Sequence, residues 1–600
     1  MGNELRGAWS ATLNHPPRLL WPILSDTERF NEMSGLPRYV LSETPQQDGS
    51  VRRVASGRAA RFDVQWEELP VEWVEEQYFT QTRLFLNGPL ARMTATLKLA
   101  AQGDGSKLSY HIEIETRHAV IGPYVAGRLI RGAGRTFARA VNGAGEFLDG
   151  MRPSAYELEP PVLVEGGEGR AKSILSYLQT GPYDHGLSAR LVERLLHAPD
   201  ADMCHIRPKQ LAREWDVEPR YVVELCLAGV RSGLLRLTWD LLCPRCRGAK
   251  ATAPQLDQLG QTVHCPSCNI DYTSDFAKNV ELVFHPAATV RECPGGEYCL
   301  SGPQTTPHVL VQQSLQPGET KELAAEIAPG EYRLRTLSRG AEFDISHAGG
   351  AFPAMIVSED GVTVRSPDAP GNIVLVNDTQ RPLTLLIESR EWVKDALTAH
   401  QVTTMHTFRH LFPDQVLRAG EEMSIDNVTL MFTDLQESTM LYRQIGDGPA
   451  YHRVREHFGF LIEIVRAHNG ALVKTIGDAV MAAFAGPAPA VRAALAVQQN
   501  IAEFNRGHSD TEIHLKMGLH GGRCIVVNLN DRLDYFGSTV NLAARLQGQS
   551  RGGDIIISDE LASDPVVAGI IAPLRATREM AELKGYDRAI PFLRIAALSD

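Results

Sequence analysis

Across residues 107–116 the apolar residues Leu108, Tyr110, Ile112 and Ile114 alternate with polar ones. That is the two-residue period of a half-buried strand, and residues 103–106 supply a turn before it. Across 124–148 the period lengthens, with Val125, Leu129, Phe137, Val141 and Leu148 recurring at helical spacing along one apolar face. With an early helix around 15–30, the first 150 residues read as a sheet closed by a long helix. Residues 151–242 are helical in pattern. Pro208 opens one helix, 216–218 interrupt it, and Pro219 opens a second that stops at Gly229 before a strand. Short alternating strands return at 284–390: Pro317-Gly318 and Pro329-Gly330 bracket one, Tyr332 and Leu334 mark a second, and Leu383, Leu385 and Ile387 a third. This predicts a small β-sandwich-like domain. A helix over 391–412, within a linker to 420, carries Trp392, Ala399, Val402, Met405 and Phe412 on its apolar side and is expected to pack against a partner helix. The last domain, 421–600, begins with a buried strand at 428–432. A hairpin of 472–476 and 479–484, a helix over 489–505 and a strand with Ile513, Leu515, Met517 and Leu519 follow. The expected fold class is multidomain α+β.

Composition narrows the function. A chain of 600 residues with 43% hydrophobic and 22% charged residues is a folded, multidomain protein, which excludes a disordered, collagen-like or coiled-coil chain. A net charge of -12 argues against whole-protein affinity for nucleic acid or anionic membrane. The helix from Pro219 balances Arg220 against Glu224, which favours protein contact over groove reading. No stretch approaches the ~18 to 20 apolar residues of a membrane span, and residues 1–10 lack the apolar core of a signal peptide. The expected location is cytoplasmic.

Nine cysteines include Cys243-Pro-Arg-Cys246 and Cys265-Pro-Ser-Cys268, separated by 18 residues. Two such knuckles bring four thiolates to one tetrahedral zinc. The segment 243–283 therefore reads as a zinc ribbon holding one structural Zn²⁺ per chain. Cys293 and Cys299 read as two free thiols, and Cys204, Cys226 and Cys524 as small apolar fillers.

Two carboxylates carry the candidate chemistry. Asp434 stands where the strand at 428–432 runs out towards a helix, and Asp478 occupies the tip of the Gly477-Asp478 hairpin. If the two elements are neighbours, these side chains converge, and hard oxygen donors at one sheet edge suit Mg²⁺ bound to substrate phosphates. Each alone reads better as a cap or turn residue. Further on come Arg532-Leu-Asp534-Tyr-Phe-Gly537-Ser-Thr-Val-Asn541-Leu-Ala-Ala-Arg545 and, near the end, Leu583-Lys584-Gly585.

That segment, the Lys474-Thr-Ile-Gly-Asp478 hairpin and the terminal Lys584 resemble the class III nucleotide cyclase catalytic domain, over about 421–597. The resemblance implies a ferredoxin-like βαββαβ core and a soluble adenylate cyclase that makes 3′,5′-cyclic AMP and pyrophosphate from ATP. It implies two Mg²⁺ or Mn²⁺ ions on Asp434 and Asp478, with the Leu435 backbone carbonyl as a further ligand, and base reading by Lys474 and Asp534. It also implies ribose orientation by Asn541, charge stabilisation on the α-phosphate by Arg545, and phosphate contacts from Lys584 and Arg523. Adenine offers an acceptor at N1 and a donor at N6, matching an ammonium and a carboxylate, whereas guanine inverts both. In this family the site forms between two domains, so one cyclase domain with both half-sets implies a head-to-tail homodimer with shared sites.

The sequence departs from the family pattern at Glu437 and Ser438 and in a short loop at 528–531. Gly552-Gly-Asp554 is not a diguanylate cyclase signature, because Ile555 and Ile556 follow it. Residues 1–150 resemble START-like helix-grip domains, which implies an apolar cavity and a lipid-like ligand, against an ordinary filled core. Residues 205–242 look winged-helix-like. The rival function is a zinc-ribbon and winged-helix scaffold with an inactive, nucleotide-binding cyclase domain. Retention of the metal carboxylates and of the Asn541 and Arg545 pair favours the enzyme.

Overall fold

The computed structural model describes residues 4–36, 38–47, 49–59, 62–293, 298, 299, 302–366, 371–418, 420, 422–506 and 512–596. The expected domain limits at 1, 421 and 600 and the segment 294–297 between Cys293 and Cys299 lie outside the described residues. No helix among the described residues is long and apolar enough to cross a membrane.

The alternation at 107–116 becomes the strand Gly105–Thr116, which buries every second residue and pairs antiparallel with Glu4–Leu13 on one side and Leu90–Gln102 on the other. Across them lies the helix Ile121–Leu148, with Phe137, Ala140, Val141 and Ala144 buried. The early helix is two, Pro17–Leu24 and Thr27–Met33, because the Asp26 side chain caps the second by accepting from the Arg29 N–H.

This sheet does not stop at the end of the first 150 residues. Its strand Glu72–Val74 pairs with Val309–Leu315 through Val311 and Val74, so a single 12-stranded sheet runs on through Leu383–Ser389, Gly330–Thr336 and Glu342–His347. A second sheet of Thr320–Ala324, Asn372–Asp378, Ala354–Ser358 and Gly361–Arg365 faces it over Leu315, Leu334, Met355, Leu375 and Leu385. The region at 284–390 is thus a two-sheet packing that shares one sheet with the N-terminal region.

Between them in sequence, Pro208–Trp215 and Pro219–Arg231 form a helix pair, turned by Asp216 in the left-handed region at φ 54°. The second helix is buried at Val222, Val223, Glu224, Leu225 and Leu227. It packs on the short helix His406–Leu411.

Two expectations fail. Cys204 and Cys293, read as a filler and a free thiol, are disulfide-bonded with Cα atoms 5.5 Å apart. The stretch 391–412 is not one helix but two short ones, Ala399–Thr403 and His406–Leu411. The Thr403 and Thr404 hydroxyls bond back to the His400 carbonyl at 3.2 and 3.1 Å. Hydroxyls that compete for helix carbonyls end the first helix there. Its apolar residues Val402, Phe408 and Phe412 are buried within this chain, where His406–Leu411 meets the helix Pro219–Arg231 as the expected partner helix.

The C-terminal region follows βαββαβ order. Strand Glu422–Leu435, helix Asp447–Ala467, strands Gly470–Ile476 and Ala479–Phe484, helix Pro487–Arg506 and strand Leu515–Leu529 succeed one another. In space the hairpin strands lie beside Glu422–Leu435, and Leu515–Leu529 lies on its far side, extended by Ile555–Ser558, Ile590–Ile595 and Ala576–Ala581. One face packs Met431, Val480 and Ala482 under the two long helices. On the other, Leu430, Phe432, Val526 and Tyr535 join one apolar cluster with Trp239, Phe408 and Phe412. The middle modules therefore pack directly on the C-terminal sheet.

Candidate active site

Strand pairing decides the geometry. Thr433 of the first strand lies in register with Val480, so the end of Glu422–Leu435 meets the hairpin tip where Gly477 takes φ +67°. Asp434 and Asp478 consequently face one another. Partial burial raises the Asp434 pKa above the ordinary carboxylate range, and the Asp478 charge raises it further, against Lys516 and the Gln547 side chain, which favour the ionised form. The Asp478 Oδ2 atom is buried and has no hydrogen-bond partner among the described residues. A buried carboxylate oxygen without a donor beside a second carboxylate is costly unless a cation supplies the missing charge. The donor set fits a divalent metal of the Mg²⁺ class. Leu435, the last residue of the strand, is in register with Leu515.

The other expected residues gather around the helix Ser538–Gln547. It is pressed onto the sheet at Gly518, where an added Cβ would come 2.1 Å from the Gln547 backbone nitrogen. Asn541 is exposed and Arg545 half-buried, one turn apart on this helix. Leu583 packs with Leu542 and Leu546. That contact carries the exposed Lys584 and Gly585 to the Arg545 guanidinium, whose Nη2 lies 3.7 Å from the Cβ position of Gly585. Lys474 and Asp534 meet directly, Nζ to Oδ2 at 2.5 Å, and the Tyr535 N–H donates to Asp534 Oδ1 at 2.8 Å.

Arg523 joins this group through its backbone, its carbonyl accepting from the Thr539 hydroxyl of the same helix. Its side chain is exposed and paired with Asp426 at 3.0 Å, which also holds Lys278 at 3.0 Å. It stands seven residues along its strand from Lys516, the register partner of Asp434, roughly 23 Å away.

Three residues escaped sequence reading: Lys516, Gln547 and His457. His457 is fully buried on the helix Asp447–Ala467. Burial pushes its pKa down to about 4, against the pull of Asp478. None stands in a motif: strand register reveals Lys516, and the packing of their helices on the sheet reveals Gln547 and His457.

Two sites outside this region are defined. The Cys243, Cys246, Cys265 and Cys268 sulfurs all lie within 4.8 Å of one another, a donor set that fits one tetrahedral zinc. A cavity of about 530 Å³ beside the helix Ile121–Leu148 is lined by Phe30, Trp66, Leu129 and Phe137 among others. Tyr39 and Arg83 line it too, with Tyr39 Oη and Arg83 Nη2 lacking partners among the described residues.

Two stretches of the chain match known families. Residues 421–565 match the family described as the Adenylate and Guanylate cyclase catalytic domain, and residues 171–297 match a family of unknown function (DUF5939). The C-terminal region is a class III adenylate/guanylate cyclase catalytic domain. Adenylate cyclase 1 of Rhizobium meliloti is 31% identical over 184 residues, which is 27% of each chain. The adenylate cyclase of Lachancea kluyveri is 32% identical over 180 residues, 26% of this chain and 10% of that protein. This chain thus spans about a quarter of the first relative's length and a tenth of the second's. Among solved structures, the adenylyl cyclase CyaB of P. aeruginosa is 23% identical with a TM-score of 0.27, covering 30% of this chain and 97% of that one.

Proposed function

We propose that this chain is a class III adenylate cyclase that converts ATP into 3′,5′-cyclic AMP and pyrophosphate, with the modules before residue 420 regulating it. The observation that carries the reading is the convergence of Asp434 and Asp478 at an open strand end, with one buried carboxylate oxygen left without a donor among the described residues. Asp434 and Asp478, with the Leu435 carbonyl as a further ligand, would hold two Mg²⁺ or Mn²⁺ ions, which when bound would neutralise triphosphate charge and lower the pKa of the ribose 3′-hydroxyl.

The side chains do the rest. Lys474 donates to adenine N1 and Asp534 accepts from the N6 amine, and their 2.5 Å pairing keeps the buried Asp534 charge compensated. Asn541 orients the ribose. As the 3′ oxygen bonds to the α-phosphorus and the bond from that phosphorus to the pyrophosphate oxygen breaks, Arg545 stabilises the charge on the α-phosphate oxygens. Lys584 holds the terminal phosphates, and Arg523 adds to them only on leaving Asp426. The 3′-hydroxyl proton passes to solvent.

The exposure of Asn541 and Lys584 supports a head-to-tail homodimer in which one copy supplies Asp434 and Asp478 and its partner supplies Lys474, Asp534, Asn541 and Arg545. The four-cysteine cluster holds one structural zinc, and the N-terminal cavity holds an apolar small molecule. Incubating the purified chain with ATP and Mg²⁺ or Mn²⁺ tests the reading: cyclic AMP is the expected product, and its absence with both metals overturns it.

A further inference from the structure

Asp534 is 5% exposed and sits on a strand, Arg532–Phe536, that is pinned by a residue from outside the matched catalytic domain. Arg409, on the helix His406–Leu411, donates through Nη1 to the Leu533 carbonyl at 2.8 Å and through Nε to the Thr403 carbonyl at 2.8 Å. Its guanidinium carbon lies 5.6 Å from the centre of the Tyr535 ring, itself fully buried. One planar fork therefore holds the backbone on one side of Asp534 and the ring on the other. The geometry of a guanidinium, two donors at a fixed angle with a flat face for stacking, is what such a clamp requires.

The helix that carries Arg409 is itself fixed. Thr407 Oγ1 donates to Glu224 Oε1 at 2.9 Å, and the buried Glu224 carboxylate also meets His185 Nε2 at 2.8 Å and Arg466 Nε at 3.5 Å. Arg409, Lys474 and Leu533 line one cavity of about 420 Å³. Base-reading strand, linker helix and middle module are thus joined through a short chain of polar contacts.

We propose that Arg409 is a positioning residue for base recognition, fixing the Asp534 carboxylate where it accepts from a 6-amino purine. This rests on the assignment of Lys474 and Asp534 as base readers. It goes beyond that assignment by placing a determinant of nucleotide choice in the linker, where the middle module can move it. Recognition of this kind needs its groups held within about 0.5 Å. Loss of the clamp therefore erodes discrimination before it erodes turnover.

The test compares ATP with inosine triphosphate, which carries an oxygen in place of the N6 amine. The ratio of kcat/KM for ATP to that for inosine triphosphate is measured in the full chain for wild type, Asp534→Asn and Arg409→Gln. Wild type should prefer ATP and Asp534→Asn should lose the preference. Arg409→Gln should lose at least about fivefold of it, with kcat for ATP changed less than about threefold. A merely structural role would lower both nucleotides alike and leave the ratio at its wild-type value, and that result overturns the proposal. Arg409→Lys, which keeps the charge but cannot span two carbonyls, should lower the ratio as well and decides the question in the same way if the glutamine variant is insoluble. If wild type makes no cyclic product from either nucleotide, the proposed activity fails instead, and the ratio of dissociation constants carries the same comparison of variants.

Discussion

The four cysteines and the two aspartates lie in one chain yet meet their surroundings differently. Cys243, Cys265 and Cys268 are buried and Cys246 nearly so, on two local turns that close the donor set from all sides. Asp434 and Asp478 are half-buried, at a strand end and a hairpin tip. Their other neighbours, Lys516 and Gln547, come from elements far away in sequence. A closed set of four soft donors leaves no position for substrate, as in structural zinc sites. An open pair of hard donors leaves several, which is what a phosphate-bearing substrate needs. The contrast separates what holds the chain together from what acts on a ligand.

Removing one donor from each site should break that symmetry in opposite ways. Asp434→Ala or Asp478→Ala should lower kcat by at least ~10²-fold, since on the proposed reading each removes a metal ligand from a site whose catalysis is electrostatic. The circular dichroism spectrum should stay that of wild type. Turnover near the wild-type value in either variant would dissolve the contrast. Cys243→Ser or Cys268→Ser should do the reverse: zinc falls from one equivalent to under about half, and amide exchange rises across 262–273, because the metal's binding energy is folding energy there. Amides of the strand Glu422–Leu435 should keep their protection. Loss of protection in both regions alike would mean that the cysteine cluster is not a separate structural unit.

Smaller changes sharpen the open site. Replacing Lys474 by Glu together with Asp534 by Cys should weaken the preference for ATP over GTP by the cost of a mismatched buried hydrogen bond, about 1 to 3 kcal/mol. An unchanged ratio of kcat/KM would place base reading elsewhere. His457 gives a pH handle. Its folded pKa of about 4 lies below the ordinary value of 6.5. The unfolded chain therefore binds the proton first, and stability present above pH 6.5 is lost as pH falls towards 4. His457→Phe should flatten that limb of a thermal-melt profile, and an unaltered limb would discount the burial of an uncharged ring.

The reach of the sequence follows the same divide. The zinc knuckles, the Gly477-Asp478 hairpin and the Asn541 and Arg545 spacing are legible because each is set within a few residues by turn or helix geometry. The Cys204 and Cys293 bond is not, since 89 residues separate them and spacing alone carries no distance. Pattern also misjudged the linker. Trp392, Ala399, Val402, Met405 and Phe412 satisfy a helical period, but hydroxyls at Thr403 and Thr404 end the helix and tertiary packing buries the remainder. The passage of one sheet from Glu72–Val74 into Val309–Leu315 rests on pairing across more than 200 residues, which no local period encodes. Lys516, Gln547 and His457 were hidden because only tertiary packing brings them to the two aspartates.

A site shared between two copies is the central claim, and a complementation assay measures it directly. Asp434→Ala and Arg545→Ala chains, each expected to be nearly inactive alone, are co-expressed in equal amounts and purified together, with different tags to report their association. In a head-to-tail dimer one of the two sites in each mixed pair receives both intact halves while the other loses both. Random pairing puts half of the chains in mixed pairs, so activity per chain should recover to about a quarter of wild type. Associated chains that stay as inactive as the separate variants would contradict the shared site.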